Sequence, residues 1–128
     1  MRILLGVSGS ISAYKALDLA RLWVKAGHEV KVILTKGAEQ FVVPQVFRYL
    51  GVSEVYSHND DFNEKQYQDK NLSVLHIDLA RWCDRLVVAP LSANTLSILA
   101  QAMAPDLLSS VFLALGEKPV VIFPAMNI

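Results

Sequence analysis

Residues 3–12 read Ile3-Leu4-Leu5-Gly6-Val7-Ser8-Gly9-Ser10-Ile11-Ser12, a short apolar run halted by serine and glycine and followed by residues at helical spacing. A strand that ends this way and turns into a helix leaves backbone N–H groups unpaired at the positive end of a helix dipole, an arrangement that holds phosphate. A second segment, Pro90-Leu91-Ser92-Ala93-Asn94-Thr95, repeats the pattern after the apolar run from Arg85 to Ala89. Two such turns in one chain point to a phosphate-bearing, nucleotide-like cofactor.

Outward from the first turn, residues from about Ser12 to Ala26 carry the helical stripe Ala13, Leu17, Ala20 and Val24, with Gly27 at the expected C-cap. Glu29 to Leu34 is a second strand ending in Thr35. Strand, helix and strand in so short a span make a βαβ unit, with parallel strands and a right-handed crossover. Further on, the pattern predicts a helix over Pro44–Leu50 and a short strand over Glu54–Tyr56. A short helix over Ile77–Trp82, a strand over Arg85–Ala89, helices over Ala93–Ala102 and Leu107–Leu115, and a strand over Pro119–Phe123 complete it. The polar connection from Ser57 to Ser73 reads as a lid or an irregular insertion. Alternating elements imply an α/β fold, three-layer and Rossmann-like or flavodoxin-like, with a parallel sheet of about five strands and helices on both faces.

A length of 128 residues suits a single domain, 1–128, and 53% apolar residues leave surplus for a subunit interface. Twelve basic and twelve acidic residues are scattered, so no electrostatic footprint for nucleic acid or an anionic membrane is expected. One cysteine, Cys83, rules out an internal disulfide and suits a reducing, cytoplasmic setting. The N-terminal run is too short for a signal peptide, and no segment has the ~20 apolar residues of a membrane span.

Ligands of such a sheet bind where strand order reverses, at the carboxyl ends of the strands. Polar residues stand at four of these ends: Ser8 to Ser12, Thr35, Pro90 to Thr95, and Pro124 to Asn127. The first lacks the later glycines of a dinucleotide fingerprint and the Gly-Lys-Ser/Thr of a P-loop, which favours a single terminal phosphate. The alternative is that Ser10 or Ser12 only caps the helix. His76, between the polar connection and an apolar helix, could serve as a general base or as a capping or interface histidine. His28 and His58 read as surface residues, Trp23, Met103 and Met126 as packing, and Cys83 as a small packed side chain. No grouping has metal spacing.

These residues match a known family. Gly9-Ser10-Ile11-Ser12-Ala13-Tyr14-Lys15, Thr35 with Ala38 and Phe41-Val42, and His76-Ile77-Asp78-Leu79-Ala80-Arg81-Trp82-Cys83-Asp84 stand in its order. Ala89 to Thr95, Asp106-Leu107-Leu108-Ser109 and Pro124-Ala125-Met126-Asn127 follow. The sequence resembles the homo-oligomeric flavin-containing cysteine decarboxylases, most of all those acting on 4′-phosphopantothenoylcysteine in coenzyme A biosynthesis. The resemblance implies FMN as cofactor, with Gly9, Ser10, Ser12, Thr35, Ser92, Ala93, Asn94 and Thr95 holding phosphate and ribityl chain and Ser109 near the same site. It implies oxidation of the thiol side of a small-molecule cysteine conjugate to a thioaldehyde, then loss of carbon dioxide to give an enethiol. His76 would be the base and Asn127 would bind the substrate carboxylate. A homo-oligomer, trimer or dodecamer of trimers, with flavin at subunit contacts, is also implied. Alternatives within its reach are a peptidyl-cysteine decarboxylase of peptide maturation and a non-catalytic FMN-binding regulatory protein. Leu91 stands where the family often has a small residue. The family chain continues past Pro-Ala-Met-Asn to a flap carrying a cysteine, so a domain without that C-terminal strand and flap is expected here.

Overall fold

The computed structural model describes residues 1–62 and 74–125. Most of the polar connection after Ser57, together with Met126 and Asn127, lies outside them. Five parallel strands, β1 (Arg2–Val7), β2 (Glu29–Leu34), β3 (Glu54–Tyr56), β4 (Arg85–Leu91) and β5 (Val120–Pro124), form one sheet in the order β3-β2-β1-β4-β5. The order reverses between β1 and β4, where Ile3 pairs with Arg85 and Gly6 with Val88. The expected α/β class, strand number and parallel sense are all observed.

Strands buried on both faces need nearly continuous apolar side chains, and β1, β2 and β4 have them. One face carries Leu5, Val7, Val32 and Leu34 under α1 (Lys15–Lys25) and α2 (Pro44–Tyr49). The other carries Leu4, Ile33, Leu86 and Val88 under α3 (Leu75–Trp82), α4 (Ala93–Ala100) and α5 (Leu107–Ala114). Gly6 leaves room for α5, since a Cβ there would stand 2.6 Å from a Leu108 methyl. Gly27 closes α1 at φ 92°, as its position after the helical stripe predicts.

Several boundaries differ from the periodicity. Ser12 to Tyr14 belong to a 3₁₀ turn, Ile11–Tyr14, and α1 proper begins at Lys15. Strand β4 runs on through Pro90 to Leu91, because the Pro90 carbonyl still finds donors although its nitrogen has no hydrogen. Helix α4 stops at Ala100, and Ala102 takes φ 54°. Met103, expected to pack, therefore lies past the helix end and is 50% exposed. Trp23 and Cys83 pack as expected.

Candidate functional site

The reversal between β1 and β4 is stitched by one buried hydroxyl. Ser8 Oγ donates to the Pro90 carbonyl at 2.6 Å and accepts from the Ser92 N–H at 2.7 Å, while Ser8 N donates to the same carbonyl at 3.2 Å. Beyond it, Ser10 Oγ accepts from Ser12 N at 3.1 Å, capping the 3₁₀ turn, and Ser92 Oγ accepts from Thr95 N at 3.2 Å, capping α4. The capping role weighed for Ser10 is thus realised. It leaves the hydroxyl hydrogen able to donate elsewhere.

Thr35 enters from β2, its N–H on the Val7 carbonyl at 3.0 Å and its Oγ1 accepting from Ala38 N at 3.2 Å. Gly9 packs directly on Gly37, so close that a Cβ on Gly9 would stand 2.9 Å from the Gly37 backbone. Gly9, Ser10, Ser12, Thr35, Ser92 and Thr95 therefore gather at one crest, with Ala93 and Asn94 exposed in the first turn of α4. Ser8, the residue that joins the two halves, stands one position before the glycine that marks the turn.

Alongside the crest lies a cavity of about 400 Å³, with Ser12 and Lys15 on one wall and Ala89, Pro90, Phe123 and Pro124 on the other. Hydroxyls, helix-start N–H groups and a lysine suit an anion, and the apolar wall suits a flat ring. Of the expected cofactor residues Ser12 lines this cavity and the others stand on the crest beside it; the donor chemistry of crest and cavity together fits FMN.

His76 belongs to the opposite helical layer. The far end of α3 lies at the amino edge of the sheet, because Asp84 Oδ2 accepts from Arg2 N at 2.7 Å. That contact holds Asp84 as the ionised carboxylate and pushes its pKa down. His76, at the start of α3, is accordingly at the carboxyl edge, the edge of the crest. Its Nδ1 stands 2.7 Å from Asp61 Oδ2, and its N–H donates to Asp61 Oδ1 at 3.0 Å. Asp61 was legible in the sequence only as one acid in a polar stretch.

Ser109 is buried, and its hydroxyl closes the capping box of α5 with Asp106, which also receives the Ser109 N–H at 2.9 Å. His28 and His58, expected at the surface, are half-buried. His58 is drawn in beside Glu39 and Ser57, and its carbonyl accepts from Leu107 N. Burial pushes the Cys83 thiol up, against nucleophilic use. Among the described residues no cluster of three or more His, Cys, Asp or Glu could hold a metal, and no helix is long and apolar enough to cross a membrane.

The family model described as Flavoprotein matches residues 1–128. The coenzyme A biosynthesis bifunctional protein CoaBC of Bacillus subtilis is 46% identical over 98% of the chain and 29% of its own length. A Streptococcus mutans protein named probable phosphopantothenoylcysteine decarboxylase is 42% identical over 98% of the chain and 68% of its own. Among solved structures, the FMN binding protein AtHal3 superposes with a TM-score of 0.84 at 35% identity, over 98% of this chain and 66% of that one. The chain thus spans under a third of the Bacillus relative and about two-thirds of the other two.

Proposed function

Since the chain belongs to the flavoprotein family, we propose that it binds FMN at the crest of β1 and β4 and decarboxylates a cysteine conjugate, 4′-phosphopantothenoylcysteine to 4′-phosphopantetheine. The observation that carries the reading is the hydroxyl-lined crest beside an apolar-walled cavity, which suits one phosphate and a flat ring. The identity to relatives named for coenzyme A biosynthesis supports the choice of substrate.

In this reading Gly9, Ser10, Ser12, Thr35 and the Ser92–Thr95 turn hold the phosphate and ribityl chain, and Ser109 braces the neighbouring helix start. FMN, when bound, would supply the acceptor for the two electrons taken from the cysteine side chain and, once reduced, the donor that returns them to the decarboxylated enethiol, so that 4′-phosphopantetheine forms with no net oxidation. His76 takes up the thiol proton, for which an imidazole is suited near neutral pH. Asn127 binds the substrate carboxylate through its amide. Residues 1–128 act as one flavoprotein unit within a cytoplasmic homo-oligomer. Exposed Ile11, Tyr14, Leu22, Phe41 and Tyr49 supply apolar surface for that assembly.

The test is flavin content followed by product. Purified protein supplied with FMN is expected to retain it through gel filtration and then release carbon dioxide from 4′-phosphopantothenoylcysteine. Release only from a peptide with a C-terminal cysteine would move the substrate to the peptide class. Retained flavin without release from either would make the protein a non-catalytic flavin binder.

A further inference from the structure

Helix α3 begins after Val74, which has no side chain able to cap it. The first N–H groups of a helix lack partners within it, so the His76 N–H must find an acceptor elsewhere. It finds Asp61 Oδ1 at 3.0 Å, fifteen residues upstream. The other oxygen of the same carboxylate lies 2.7 Å from His76 Nδ1. One side chain thus grips both the main chain and the ring of a single residue.

The grip is built to be stiff. Asp61 sits in the 3₁₀ turn Asp60–Phe62, whose first carboxylate accepts from Ser57 N at 2.8 Å. The Asp61 side chain is only 8% exposed, against 27% for His76. A buried carboxylate at a helix start is favoured by the dipole and accepts hydrogen bonds without donating them. An imidazole nitrogen 2.7 Å from an acceptor-only carboxylate is the one that bears the hydrogen, and in a neutral ring that assignment leaves the lone pair on Nε2.

We propose that Asp61 is the positioning residue of His76: it fixes ring orientation and the Nδ1–H tautomer, so that Nε2 is the atom that takes the substrate proton. The proposal rests on His76 being the acid–base group of the decarboxylation.

The test is Asp61→Asn together with nitrogen NMR of the His76 ring. An asparagine oxygen can still accept the His76 N–H, so the helix cap survives, but its NH₂ donates to Nδ1 and selects the Nε2–H tautomer. In FMN-loaded protein kcat is expected to fall on the order of 10²–10⁴-fold, as for other imidazoles placed in the wrong tautomer, with KM changed little. Wild-type protein, with neutral imidazole and no substrate, should show Nδ1–H. An Nε2–H signal in wild type, or undiminished kcat in Asp61→Asn, would overturn the proposal. The wild-type spectrum decides the matter even if the variant fails to fold. A wild-type protein with Nδ1–H but no carbon dioxide release would refute the decarboxylase reading and support the pairing of Asp61 with His76.

Discussion

Ser8 and Pro90 lie 82 residues apart in sequence, yet the Ser8 hydroxyl and N–H both donate to the Pro90 carbonyl, at 2.6 and 3.2 Å. The contact bridges the two strands at which the sheet order reverses. The same hydroxyl accepts the Ser92 N–H, fixing where α4 begins. Fold and candidate cofactor site are therefore held by one side chain.

Ser8→Ala would remove both hydroxyl bonds and leave a partly buried Ser92 N–H without its acceptor. We expect a loss of about 1–3 kcal/mol in unfolding free energy, and weaker FMN binding because the Ser92–Thr95 turn loses its anchor. Denaturant unfolding and flavin fluorescence titration check the two effects. Unchanged flavin affinity in a destabilised variant would separate the fold from the site.

The Gly9–Gly37 contact predicts an asymmetric pair of variants. A Cβ on Gly9 would stand 2.9 Å from Gly37 backbone atoms, whereas one on Gly37 would stand 3.2 Å from Gly9 Cα. Gly9→Ala should cost about 1–3 kcal/mol and FMN affinity, with Gly37→Ala milder on both. Thermal melts with and without FMN rank them, and the reverse order would contradict the packing.

Lys118 tests stability away from the site. Its ammonium donates to the carbonyls of Ala80, Arg81 and Cys83 at 2.6, 2.8 and 2.7 Å, satisfying the end of α3. Lys118→Met should lose about 1–2 kcal/mol in denaturant unfolding and leave FMN affinity unchanged.

Tyr56 predicts an alkaline effect. Burial, aided by the carboxylates of Glu54, Asp60 and Asp78, pushes its pKa up from 10.0 to about 12. The folded chain then holds the phenolic proton more tightly than the unfolded chain. This contribution is fully present below pH 10 and is lost as pH rises through about 12. Wild-type stability should fall more steeply over that window than that of Tyr56→Phe in denaturant melts. Parallel slopes would contradict the shift.

These contacts also show how far the sequence could be read. The strands and both phosphate-type turns were legible because burial on two faces demands unbroken apolar runs, and strand-to-helix turns demand small residues. Ser10, Ser12, Thr35 and Ser92 were visible as hydroxyls at strand ends. Periodicity starts α3 at Ile77, two residues after its observed start at Leu75, because the acceptor for the His76 N–H is the carboxylate of Asp61, fifteen residues away. Periodicity cannot register such a partner. An apolar side chain such as Met103 reads as packing, but the helix ends at Ala100 and Ala102 turns left-handed, a backbone change that composition does not announce.

A flavin-loaded chain is expected to decarboxylate a cysteine conjugate with His76 as its base. The most direct measurement is release of labelled carbon dioxide from carboxyl-labelled 4′-phosphopantothenoylcysteine by wild type and His76→Asn, each with its flavin content determined. Equal flavin in the two proteins, release by wild type, and a loss of about 100-fold or more in the variant are expected. Release by His76→Asn at the wild-type rate would contradict it.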